Sequence, residues 1–150
     1  MLQKITPNLW FDHNAKEAVE FYVSVFPNSK VTAASYYPEE GLLDFQKNLA
    51  GKELTIDYEL GGNCFTAINA GPDFKFNESI SFSIACEDQD EIDYYWSKLS
   101  HVPEAEQCGW CKDKYGLSWQ VVPKNIEALM QGANAFTNMM QMKKLVITDF

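Results

Sequence analysis

The sequence predicts an α+β domain of two βαβββ modules, meeting as an incompletely closed, curved, eight-stranded sheet with its helices outside. Three observations point there. A short strand followed by an amphipathic helix occurs twice, and sliding the chain by about 73 residues lays Val19-Glu20-Phe21-Tyr22 on Ile92-Asp93-Tyr94-Tyr95. Segments of period two follow each helix. No Ser/Gly/Pro-rich linker divides the chain, and 150 residues at 46% hydrophobic suit one core. The modules, about 1–73 and 74–150, are therefore expected to be halves of a single domain.

Taken in order, Ile5 to Phe11 reads as a strand that Asp12-His13-Asn14 ends. Asn14 with Glu17 has the spacing of a capping box, and Ala15, Ala18, Val19, Tyr22, Val25 and Phe26 form a helical stripe stopped by Pro27-Asn28. Lys30 to Tyr37 is β-branched and aromatic. Glu39 to Gly51, with Phe45 and Leu49, reads as a loop or a single helical turn. Glu53 to Leu60 and Cys64 to Ala70 flank Gly61-Gly62-Asn63, a hairpin connection. In the second module, Ser79 to Cys86 is a strand. Asp88 with Glu91 is again a capping box, ahead of the stripe Ile92, Tyr95, Trp96 and Leu99. Glu106 to Lys112, the turn Asp113 to Gly116 and the strand Leu117 to Val122 follow. A helix near Asn125 to Gln131 and a last strand, Lys144 to Thr148, finish the chain.

Charge excludes whole function classes. The formal net charge is −9, and all 12 basic residues are lysines. A nucleic-acid partner calls for clustered cations and usually arginine, so none is expected. No apolar run is long enough to span a bilayer, and MLQKITPNLW lacks the features of a signal peptide. A cytoplasmic location is the expectation. Cys64, Cys86, Cys108 and Cys111 are read as free thiols.

The stretches Ile5-Thr6-Pro7 to Phe21-Tyr22, Phe74 to Phe82 and, above all, Gln107-Cys108-Gly109-Trp110 to Gly116-Leu117-Ser118-Trp119-Gln120 resemble the vicinal oxygen chelate superfamily. That superfamily includes glyoxalase I, extradiol dioxygenases and the fosfomycin and bleomycin resistance proteins. Within it the sequence looks most like the PhnB-like branch, whose label is 3-demethylubiquinone-9 3-methyltransferase. A methyltransferase of the usual kind needs a glycine-rich loop after a parallel strand, and no G-x-G occurs here. The resemblance implies instead a divalent metal held by one residue from each of four strands. Aligning the modules puts those positions at Pro7, Ala67, Ser79 and Gln120, of which only Gln120 is a plausible ligand. Glu78 is the only carboxylate near them. No metal and no cofactor are therefore expected. Related proteins typically dimerise, and the Met-rich tail Ala135 to Met142 is the expected two-fold interface.

Alternation from those four implied positions then places Leu9 and Phe11 (with Pro7), Asn69 (with Ala67), Ser81 (with Ser79) and Gln120 on the cavity face, with Trp110 walling it from the strand before the turn, while Trp10 packs under the first helix. These six are the candidate ligand-binding residues for a small, apolar or aromatic molecule. A glyoxalase- or dioxygenase-like metalloenzyme is the runner-up. A redox or zinc protein using Cys108 and Cys111 is a third class, although on a strand these two would face opposite sides. His13 and His101 fall in turns beside helix ends, and Asp12 reads as part of a turn.

Overall fold

Asn8 to Asp12 enters the sheet beside a strand far along the chain. The computed structural model describes residues 3–150 and divides into two units, one ending at Lys75 and the other spanning Phe76–Phe150. In the first, β1 (Asn8–Asp12), α1 (Ala15–Val25), β2 (Lys30–Tyr36), β3 (Glu53–Leu60) and β4 (Asn63–Ala70) form a four-stranded sheet of order β1-β4-β3-β2. β1 runs parallel to β4 with Leu9 opposite Ala67 and Phe11 opposite Asn69, and the remaining pairs are antiparallel.

The β3–β4 hairpin forms where period two meets Gly61-Gly62. Both glycines lie in the left-handed region (φ +54° and +88°), as the tight two-residue hairpin turn needs. The α1 stripe is the expected one: Ala15, Ala18, Val19, Tyr22 and Val25 are buried. They share the core with Leu9, Phe11, Ile56, Tyr58 and Ala67. Each buried Val, Leu, Ile or Phe among them contributes roughly 1.5–3 kcal/mol. Asn14 makes no side-chain cap. The Ala15 N–H donates instead to Asn69 Oδ1 on β4. Between β2 and β3, Asp44–Leu49 is a 3-10 helix that buries Leu49 and leaves Phe45 exposed.

The second unit holds β5 (Ser81–Cys86), α2 (Gln89–Leu99), β6 (Trp110–Lys112) and β7 (Ser118–Pro123), with sheet order β5-β7-β6. Asp88 caps α2 by accepting from Glu91 N–H, and Glu91 accepts from Glu87 N–H in return. Two short helices, α3 (Ile126–Leu129) and α4 (Ala135–Met140), follow.

The fold class is as expected, but the described residues form seven strands in sheets of four and three, not eight. No strand follows α2 directly, because Pro103, which has no N–H to give a ladder, opens a 3-10 turn at Pro103–Ala105. The expected last strand is also absent. The Met142 and Lys143 carbonyls accept from Cys108 and Gly109. Gln89 then bonds both Leu145 O and Ile147 N, so a side chain on α2 takes the place of a ladder.

Candidate functional site

Each sheet has one face under a helix and one without. In the second unit, Ile92, Tyr95 and Leu99 of α2 are buried together with Cys86, Cys111, Trp119 and Val121. The Phe82 and Trp119 rings approach to 5.8 Å on that side. Alternation then fixes the opposite face: Trp110 and Lys112 on β6, Ser118 and Gln120 on β7, Ser81 and Ser83 on β5. Trp110 lies directly across from Gln120, Lys112 across from Ser118, and Ser81 beside Ser118. Gln120 Nε2 donates to Ser81 Oγ at 2.9 Å, which leaves the amide oxygen aimed as an acceptor.

Three of the six expected residues, Ser81, Trp110 and Gln120, thus come together. Lys112 was missed by sequence reasoning, although it is the one cation these three strands carry. Its side chain is only 22% exposed and pairs with Glu78, 61% exposed, on the segment before β5. That hydrogen bond from Lys112 is the chief reason the Glu78 carboxyl sits below its ordinary pKa.

Leu9, Phe11 and Asn69 lie elsewhere, and the expected phase of β1 is reversed. Leu9 and Phe11 are buried on the α1 side, and Asn69 is buried with both polar atoms committed, to Ala15 N–H and to Glu53 O. Trp10 takes the face away from α1, where its indole N–H donates to Gly71 O and its ring meets Phe74 edge-on at 4.8 Å. The phase was counted from Pro7, which lies outside the strand. The repeat held the correction, since the 73-residue shift lays Leu9 and Phe11 on Phe82 and Ile84. Thr66 and Asp57 share Trp10's face and bond each other at 2.7 Å.

The positions implied for a metal do not fit one. Ala67 is fully buried under α1, Pro7 offers no donor, the Ser79 hydroxyl donates to Asn77, and the Gln120 amide serves Ser81. Glu78, the nearby carboxylate, is engaged by Lys112. Among the described residues no three His, Cys, Asp or Glu side chains converge.

Cys108 and Cys111 are not on one strand. Cys108 (φ +40°) and Gly109 (φ +90°) make a left-handed turn, and β6 begins at Trp110. Burial pushes both thiols up, Cys111 to about 12 with Asp113 and Glu106 adding to it. A redox pair needs the opposite shift. All four cysteines are free. His13 (φ +63°) bonds Asp12 through Nδ1 at 2.6 Å and Asn48 through Nε2 at 3.1 Å, a turn clasp. A groove of about 210 Å³ also opens between α1 and the β2 edge, lined by Lys16, Val19, Val31, Ala34, Tyr36 and Glu53 among others.

The sequence profile of the family described as 3-demethylubiquinone-9 3-methyltransferase matches residues 3–122. The chain belongs to that family. Among solved structures, the family member is similar to a PhnB protein from Bacillus cereus, 32% identical over 80% of this chain and 99% of that one, with a TM-score of 0.65. Protein PA1353 from Pseudomonas aeruginosa is 18% identical, covering 82% and 98% of the two chains at a TM-score of 0.59. The fosfomycin resistance protein FosX from Listeria monocytogenes is 14% identical, covering 82% and 92% at 0.50. The last two likenesses are of fold, and that fold is the vicinal oxygen chelate one. None of the curated proteins compared matches. No helix of this family member, among the described residues, is long and apolar enough to cross a membrane.

Proposed function

We propose that the chain is a small-molecule-binding protein that receives its ligand on the helix-free face of β5, β7 and β6, without the metal quartet of its superfamily. The observation carrying this reading is the Trp110–Gln120–Ser81 cluster. A ring, an oriented amide and a hydroxyl stand together on a face that no helix of the second unit covers, the usual composition of a small-molecule site.

The family's methyltransferase description is not adopted as the activity. Cofactor clefts of nucleotide-binding α/β proteins open at the carboxyl ends of parallel strands. Each sheet here has one parallel pair, β1–β4 or β5–β7, completed by antiparallel strands. The hydroxyl, amide and buried methyl at the ligand positions argue against Lewis-acid chemistry on chemical grounds. We read the protein as a cytoplasmic homodimer, in keeping with its free thiols and with the exposed Phe136 and Met140 of α4.

The test pairs two measurements on untagged protein. Elemental analysis is expected to give far less than one divalent metal per chain, and tryptophan fluorescence against a collection of aromatic compounds is expected to give hits that Trp110→Phe removes. Stoichiometric metal, or an empty screen, overturns the reading.

A further inference from the structure

We infer that this face selects aryl carboxylates, with Lys112 binding the carboxylate in place of Glu78 and Trp110 stacking on the ring. The inference rests on the reading of the face as the ligand surface and names the class of ligand.

Trp110 and Lys112 are two residues apart on β6, so both point to one face with roots about 7 Å apart. That spacing matches one aromatic ring joined to a carboxylate through a short chain. Gln120, across from Trp110, gives up an N–H to Ser81 and keeps its oxygen as an acceptor, which suits a hydroxyl on the ring. Ser81 adds a hydroxyl to the same face, two strands from Lys112 with the buried Ser118 between them.

Charge points the same way. In a chain of net charge −9, an anion is retained only where a cation waits locally. Lys112 is such a cation. It is largely covered, so its pairing is screened less than that of a surface lysine, whereas its partner Glu78 is mostly solvated and easily exchanged. A single ammonium, in a protein with no arginine, neutralises one charge and favours a carboxylate over a phosphate dianion.

The probes are 3-(4-hydroxyphenyl)propanoate and its neutral amide, titrated while the indole N–H resonances are followed by NMR and Trp110→Phe identifies the reporter. The acid is expected to bind about tenfold more tightly than the amide, the increment of one charge-assisted hydrogen bond. Glu78→Gln should tighten the acid and leave the amide unchanged. Lys112→Gln should erase the preference and Lys112→Arg keep it, with thermal unfolding checking that both variants fold. Equal affinity for acid and amide, or a preference that survives Lys112→Gln, overturns the inference. If neither compound moves Trp110, the aryl carboxylate class is also wrong. The broader reading falls separately, when the whole collection fails to bind.

Discussion

The side-chain oxygen of Asn69 accepts from the Ala15 N–H at 3.2 Å, so the first helix is capped from β4 and not by the residue before it. The same amide donates to Glu53 O at 3.0 Å, which ties the helix start to two strands. Asn69→Ala removes both bonds in a buried site and should cost about 2–3 kcal/mol, read from urea unfolding. Asn14→Ala should stay within about 0.5 kcal/mol. Equal losses for the two would show that the cap is misassigned.

A second buried acceptor organises the turn before β7. Asp113, 1% exposed, takes the Tyr115 and Leu117 N–H groups on one oxygen and the Trp119 indole N–H on the other, at 2.8 to 3.1 Å. Asp113→Ala should destabilise by about 3 kcal/mol or more, because three donors lose their partner. Asp113→Asn keeps one acceptor and should lose less. Unfolding curves followed by tryptophan emission order the two.

The thiols make a pH prediction with a definite sign. Burial, with Glu91 and Asp88 helping, pushes Cys86 from 9.0 to about 12, and Cys111 is raised as far. Between those values the unfolded chain sheds protons that the folded one keeps. Stability is therefore full below pH 9 and falls as pH rises toward 12. Cys111→Ala should flatten that decline. At pH 8 a thiol reagent should label half-exposed Cys64 while Cys86 and Cys111 react only on unfolding. Rapid native labelling of Cys111 would contradict its burial.

On α4, Phe136 and Met140 lie four residues apart on one side, and both are exposed in the single chain. Sedimentation at micromolar concentration should give a dimer, and Phe136→Asp should shift it to monomer with its unfolding temperature nearly unchanged. A wild-type monomer removes the tail from consideration as an interface.

What the sequence disclosed follows from the range of the forces involved. The β3–β4 hairpin and both helical stripes were legible, since period and turn chemistry are local properties. The α2 cap was legible for the same reason, with Asp88 three residues from Glu91. The α1 cap was not, because its donor and acceptor lie 54 residues apart. The phase of β1 was lost to a count begun outside the ladder, and with it Leu9 and Phe11, while Asn69 was lost with Ala67, which β4 turns toward α1. Lys144 to Thr148 mimics a strand in composition, yet one amide on Gln89 decides its path. Lys112 was overlooked because a lysine's partner, and not its neighbours in sequence, determines whether it is an ordinary surface charge.

The pairing of β1 with β4, and of β5 with β7, has a consequence for how the chain reaches this state. In each unit the first strand must wait for the last one made, since Asn8 joins Thr66 and Ser81 joins Ser118. The β3–β4 hairpin closes across two glycines and can form on a microsecond scale. The parallel seams close long loops and come late. Substitutions in the hairpin should then slow refolding, whereas Leu9→Ala should mainly hasten unfolding. A newly made chain holds β3 and β4 together while β1 is still free, and the helix that Asn69 caps is completed only when that strand arrives.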